Sequence, residues 1–232
     1  MRVVCVSDLH IAGPDCPRQQ AFLRFLATLQ CDRLCLCGDV FEHWWHWGSI
    51  PFPQYAQVVE ALAPFTLTVL PGNHDWHVHE FFRDRGAQIP GPDGMVRTSW
   101  DGVPVLLAHG DQADRSAGYA ALSWVLRGRP FRALVNAMSP AQAWRFLGRI
   151  SGNGTVRQNL ALIAQQLVWA GELPGDVVIY GHTHAPGIQR VGHRALVNIG
   201  DGVSHGTYVL FDTSVPGGPW VRKFADPLQD GA

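Results

Sequence analysis

The sequence predicts an α/β fold. Three observations carry this: short apolar, β-branched runs that end in polar clusters, helical patterns between the early runs, and runs that come closer together late in the chain. Runs this short, bounded by Gly and Pro, read as buried strands. Alternation of strand and helix implies an α/β sheet, and the crowded later strands imply hairpins and a mixed or second sheet.

The elements follow in order. Residues 3–7 form the first strand and lead into Asp8. Residues 18–30 form a helix, with Phe22, Phe25, Leu26 and Leu29 at i, i+3, i+4, i+7 and Pro17 at the first helical position. Strands follow at 34–37 before Gly38-Asp39, 65–70 before Pro71-Gly72-Asn73, and 103–108 before His109-Gly110-Asp111. The last are 177–180 before Gly181-His182, 195–199 before Gly200-Asp201, and 207–211. From Asp226 onward the composition is that of a frayed tail.

With 232 residues, 47% of them hydrophobic, the chain suits a single domain over 1–232. A helical insertion is expected at about 114–172. Residues 115–171 hold seven of the 18 basic residues, all arginine, and no Asp or Glu, so the remaining 11 basic residues face all 19 acidic ones. A net charge of -1 gives no bulk attraction to nucleic acid or anionic membranes. The five cysteines, an odd number within the first 37 residues, read as reduced buried thiols of a cytoplasmic protein. Cys35 and Cys37 lack a second pair that would make them a zinc knuckle. No apolar run approaches the length of a membrane span.

The polar clusters supply Asp8, His10, Asp39, Asn73, His74, Asp75, His109, His182 and His184. Singly, such residues are more often caps or turns than ligands. Together they sit at successive strand ends, which an open α/β sheet brings to one edge. Carboxylate, imidazole and amide oxygen suit divalent Mn²⁺, Fe²⁺ or Zn²⁺ better than Ca²⁺ or Mg²⁺ alone, and seven candidate ligands suffice for two metals sharing a carboxylate.

Asp8-Leu9-His10, Gly38-Asp39, Gly72-Asn73-His74-Asp75, His109-Gly110 and Gly181-His182-Thr183-His184, in that order, resemble the motifs of the calcineurin-like metallophosphoesterases. The resemblance implies a four-layer α/β/β/α sandwich of two mixed sheets flanked by helices, carrying a helical cap. It also implies a dinuclear-metal hydrolase, with Asp8, His10, Asp39 and His184 on one metal and Asp39, Asn73, His109 and His182 on the other. His74 would stabilise the phosphoryl group or protonate the leaving oxygen, with Asp75 orienting it.

Flanking words, such as Gly38-Asp39-Val40-Phe41-Glu42 followed by Trp44, resemble the UDP-2,3-diacylglucosamine pyrophosphatases more closely. That resemblance implies a lipid-linked sugar nucleotide as substrate, release of UMP, a cap over the acyl chains, and peripheral contact with the inner face of the membrane. Asn153, Arg157 and Trp44 are the candidate substrate contacts. One departure is that His74 stands where those enzymes carry Arg. It keeps open a general phosphodiesterase acting on soluble nucleotides. A catalytically silent metal-binding scaffold is the non-enzyme alternative, and no nucleic-acid partner is expected.

Overall fold

A computed structural model describes residues 1–151, 160–203, 205–215 and 218–224. The first half of the chain runs through β1 (Arg2–Val6), α1 (Pro17–Thr28), β2 (Arg33–Cys37), a short hairpin of β3 (His46–Trp47) and β4 (Ile50–Pro51), α2 (Ala56–Leu62), β5 (Leu67–Leu70) and α3 (Val78–Arg83). The second half contains β6 (Val96–Trp100), β7 (Val103–Leu107), α4 (Ala117–Arg127), α5 (Arg129–Asn136), α6 (Pro140–Ser151) and α7 (Leu160–Glu172). It closes with β8 (Val177–Tyr180), β9 (Gly187–Val191), β10 (Arg194–Asn198), β11 (Thr207–Asp212) and β12 (Trp220–Lys223).

Two five-stranded mixed sheets form, in the orders β12-β11-β1-β2-β5 and β6-β7-β8-β10-β9. In each, three neighbouring strands are parallel: β1, β2 and β5 in the first, β7, β8 and β10 in the second. Their carboxyl ends point to one edge, which is where the motifs begin. Strand alternation sorts the side chains into layers. Val3, Cys5, Cys35, Cys37, Leu107, Ile179, Val197 and Val209 fill the space between the sheets. Val4, Val6, Leu34 and Leu36 face Phe22 and Leu26 of α1 and Val58 and Leu62 of α2, while Leu106, Val178 and Leu196 face Trp169 and Ala170 of α7. The order of layers is therefore helix, sheet, sheet, helix. Cys5, Cys35 and Cys37 carry free thiols within the central layer.

The segment expected as one insertion divides in two. Leu126, Phe131, Val135, Ala143 and Leu147 of α4–α6 extend the core that α1–α3 build on the first sheet, whereas α7 covers the second sheet. Arg132 clamps Glu80 of α3 with two bonds of 2.9 and 2.7 Å, and Trp45 Nε1 donates to Asn136 Oδ1 at 3.0 Å, fastening α5 to the rest. Strands β6, β9 and β12 were not expected from the sequence. All five residues of β9 are exposed, so this edge strand has no buried face to produce alternation. No helix among the described residues is long and apolar enough to cross a membrane.

Candidate metal centre

The parallel strands deliver their motifs to the shared edge, where the loops bond to their neighbours within each sheet and, at His182 and Asp8, across the gap between sheets. Asp8 N–H donates to the Gly38 carbonyl at 3.1 Å and His10 N–H to the Asp39 carbonyl at 3.0 Å. From the second sheet, Gly181 N–H donates to the His109 carbonyl at 2.8 Å, and His182 N–H to Asp8 Oδ2 at 2.9 Å.

Six non-glycine residues of the described chain have positive φ, and five are candidate ligands: Asp8 (54°), His10 (47°), Asp39 (52°), His182 (72°) and His184 (52°). The left-handed conformation is strained for side chains with a Cβ and persists where surrounding contacts enforce it, characteristically at functional sites.

Donor atoms converge in three overlapping groups, Asp8-His10-His184, His10-Asp39-His74 and Asp8-Asp39-His109, each within 4.8 Å. Asn73 joins through its Oδ1, 3.1 Å from His109 Nε2. His182 packs its ring against His109 with centroids 5.2 Å apart. The chemistry of this set fits a cation. His109 Nδ1 donates to the Cys37 carbonyl (2.9 Å) and His184 Nδ1 to Asp201 Oδ2 (2.6 Å). Each neutral ring therefore turns a lone pair on Nε2 inward. There His184 Nε2 meets Asp8 Oδ1 at 3.3 Å and His10 Nε2 at 3.4 Å, and His109 Nε2 meets Asp39 Oδ2 at 3.4 Å. Asp8 Oδ1 is buried without a hydrogen bond. Acceptors facing acceptors out of water need a positive charge among them.

The titration shifts express the same need. Burial opposes charge on Asp8, but the His184 imidazole outweighs it and holds the carboxyl at about 2. Asp39 likewise lies well below its ordinary value, burial being overcome by His109 and His74. Burial lowers the His184 pKa, yet Asp8 and the Asp201 bond raise it to about 10; His10 and His109 are raised in the same way by Glu42 and by Asp39. His182 is lowered by burial and by the charge on His109. In the metal-free protein, protons occupy the sites that a divalent ion would take.

Some expected roles change. The Asp75 carboxylate makes its hydrogen bonds away from His74. It is fully buried, and its two oxygens accept backbone N–H groups from Gly72 (2.7 Å), Val40 (3.0 Å), Asp39 (3.1 Å) and Phe41 (3.3 Å), so it braces the loop that carries Asp39. Burial and the Asp39 charge raise its pKa to about 6 despite the Gly72 N–H. His74 is instead held by its N–H to Asp39 Oδ1 (2.7 Å) and by Nδ1 donating to the Glu42 carbonyl (3.1 Å). Trp44 is not placed to touch a ligand. It is 1% exposed, stacks on Tyr55 and donates to His46 Nδ1 at 3.2 Å, so this part of the Trp-His run is core. Asn153 and Arg157 lie outside the described residues.

Sequence reasoning missed Gln166 of α7. Its Nε2 donates to the Gly181 (2.7 Å) and Gly110 (3.3 Å) carbonyls while its Oε1 accepts from Thr183 (2.5 Å) and Asn198 (3.2 Å), pinning both histidine loops of the second sheet. No motif announces it, because the contact is purely tertiary. Asp201 could be found in the Gly200-Asp201 word, although its bond to His184 could not.

The profile of the calcineurin-like phosphoesterases matches residues 1–186. The chain is 30% identical to the UDP-2,3-diacylglucosamine hydrolase of Ectopseudomonas mendocina over 210 residues, 82% of this chain and 84% of that one. It is 32% identical to the protein of the same name from Stutzerimonas stutzeri over 202 residues, 79% and 82% of the two chains. A solved archaeal phosphodiesterase aligns over 96% of this chain and 100% of its own, with 16% identity and a TM-score of 0.47.

Proposed function

Because this chain belongs to the calcineurin-like phosphoesterase family and is a metal-dependent hydrolase, we propose that it cleaves the pyrophosphate of UDP-2,3-diacylglucosamine or a close lipid-linked sugar nucleotide, releasing UMP. The observation that carries the chemical part is the ring of inward-facing acceptors at the shared strand edge, five of them on left-handed backbone. Asp8, His10, Asp39 and His184 would hold one divalent ion and Asp39, Asn73, His109 and His182 the other, with Mn²⁺ the best match to this mixed donor set and Fe²⁺ or Zn²⁺ its competitors. When bound, the pair supplies an activated water at neutral pH and draws negative charge off the phosphoryl oxygens.

The protein's own groups do the rest. Asp39, held by Asp75 and by His74 N–H, lies between the two halves of the site. Asp201 and the Cys37 carbonyl fix the tautomers of His184 and His109. His74, with Nδ1 committed to the Glu42 carbonyl, has Nε2 free to steady a phosphoryl oxygen or to protonate the departing one.

The lipid part rests on the relatives' name and on the character of α4 and α5. Trp124 is 80% exposed, with Leu122, Val125 and Leu134 about half exposed. Trp124, Val125, Pro130, Phe131 and Leu134 line an apolar groove of about 540 Å³ beside Arg129. Apolar side chains set among arginines suit an acylated anion and the surface of an anionic bilayer. The protein would then work in the cytoplasm at the inner face of the membrane. His74, in place of the lipid-pathway arginine, favours the second reading, a phosphodiesterase of soluble nucleotides.

The experiment is a Mn²⁺-supplemented assay comparing UDP-2,3-diacylglucosamine with bis-p-nitrophenyl phosphate, with Asn73→Ala as control. Faster cleavage of the lipid nucleotide with UMP as product supports the proposal. Cleavage of the diester alone refutes the lipid substrate and leaves the second reading, and inactivity on both with metal bound points to a silent scaffold.

A further inference from the structure

The three histidines whose Nε2 atoms turn inward differ in what stands behind their Nδ1 atoms. His184 has the Asp201 carboxylate and His109 the Cys37 carbonyl. Behind His10, Glu42 Oε2 lies 3.2 Å from Nδ1. The other oxygen of the same carboxylate, Oε1, lies 3.7 Å from His74 Nδ1. The two rings meet edge to face with centroids 4.7 Å apart, so one carboxylate spans both Nδ1 edges.

Backbone pairing brings Glu42 there. Beyond the sheet, Ile11 N–H donates to the Val40 carbonyl and Glu42 N–H to the Ile11 carbonyl, each at 3.0 Å, continuing the parallel ladder of β1 and β2 by one bridge. This fixes the Glu42 Cα relative to His10. The carboxylate is 14% exposed, its Oε1 is buried without a hydrogen bond, and its ion-pair contacts among the described residues are these two imidazoles. A buried carboxylate oxygen is costly unless it meets a donor. On the His10 side a donor is available only when the ring carries its proton on Nδ1, the tautomer that leaves Nε2 free; on the other side His74 Nδ1 donates to the Glu42 carbonyl at 3.1 Å, and the carboxylate at 3.7 Å adds its charge beside that proton.

We propose that Glu42 is a positioning residue shared by a metal ligand and the leaving-group acid: its carboxylate backs the Nδ1 edge of His10, its backbone carbonyl accepts the Nδ1 proton of His74, and the charge it sets beside both rings favours the tautomer that presents Nε2 to the reacting phosphate and its metal. This rests on the two-metal reading above and adds that metal affinity and proton donation are coupled through one side chain.

The test uses the full chain as Glu42→Gln, which keeps the size and removes the charge, and Glu42→Ala. Metal-free protein is titrated with Mn²⁺ and followed by electron paramagnetic resonance, and kcat is measured on aryl phosphodiesters of graded leaving-group pKa. The expected result is Mn²⁺ binding weakened about 10- to 100-fold in both variants, the range found when a partner behind a metal ligand is removed. A steeper dependence of kcat on leaving-group pKa is also expected, and it vanishes when the same change is made in a His74→Ala background. Mn²⁺ binding within about twofold of wild type, or a leaving-group dependence parallel to wild type, would overturn the shared role. The two-metal reading is judged separately on the wild-type protein: if that binds no Mn²⁺ and cleaves none of the diesters, the reading falls with it; if it does both, only the role of Glu42 is at stake.

Discussion

Replacing Asp75 by Asn separates bracing the Asp39 loop from orienting His74. Each Asp75 oxygen accepts two backbone N–H groups, Oδ1 from Gly72 and Asp39, Oδ2 from Val40 and Phe41. An amide offers one acceptor oxygen, and in either orientation its NH₂ points at two N–H groups. Two charge-assisted bonds are lost, worth about 1.5–3 kcal/mol each. Against this, neutralisation relieves the burial and the Asp39 repulsion that raise the Asp75 pKa to about 6, a gain on the order of 2–3 kcal/mol. The net loss is about 0–4 kcal/mol, at its upper end a sizeable part of the roughly 5–15 kcal/mol that holds a domain together. Urea unfolding of the metal-free protein at pH 7 measures it. Activity should fall about 100-fold, the usual consequence of displacing a catalytic group by about 1 Å, and for good leaving groups as well as poor ones, because the loop that carries Asp39 also holds His74. His74→Ala, by contrast, should slow poor leaving groups selectively. Unfolding within about 0.5 kcal/mol of wild type together with the leaving-group selectivity of His74→Ala would refute this account and restore Asp75 as the partner of His74.

Gln166→Leu strips the acceptor from Thr183 and Asn198 and the donor from two loop carbonyls; a loss of about 3 kcal/mol lowers Tm by roughly 6–12 °C in a chain of this size, read by calorimetry. Removing metal with EDTA lowers Tm reversibly, and Mn²⁺ at 100 times its Kd restores about 2.7 kcal/mol. The metal-free protein carries a pH signature. The His184 pKa is raised from 6.5 to about 10, so its contribution is complete below pH 6.5 and disappears as pH rises through about 10. Asp8, lowered from 3.8 to about 2, contributes above pH 3.8 and loses that contribution as pH falls through about 2. Asp75, raised from 3.8 to about 6, acts in the opposite sense, so urea midpoints should fall between pH 3.8 and 6 and again from pH 6.5 towards 10, and bound Mn²⁺, by displacing the protons, should flatten the alkaline decline.

What was legible in the sequence, and what was not, divides along a physical line. A candidate metal donor two residues beyond the end of a parallel strand is placed by that strand alone, so Asp8, Asp39, His109 and His182 could be read one strand at a time. The glycines beside them carry longer-range information. A Cβ at Gly72 would enter the Asp39 carboxylate, and one at Gly181 would strike Ser7 and Asp8, so these glycines mark where loops of different strands, and at Gly181 of different sheets, touch. The Gly-Asn and Gly-His words are in this sense records of tertiary contact written locally. Trp44 has no such marker. An aromatic run reads the same whether it faces a ligand or the core, and only its stacking on Tyr55 decided for the core. Asp75 misled for a related reason: adjacency to His74 suggested a partnership, but consecutive residues in a turn point apart, and its four donors come from a turn and from the loop after β2. Gln166 and Glu42 complete the series. Their side chains act on groups that belong to other elements, so their roles depend on how layers meet, and a pattern read along one chain contains that only where close approach has excluded a side chain.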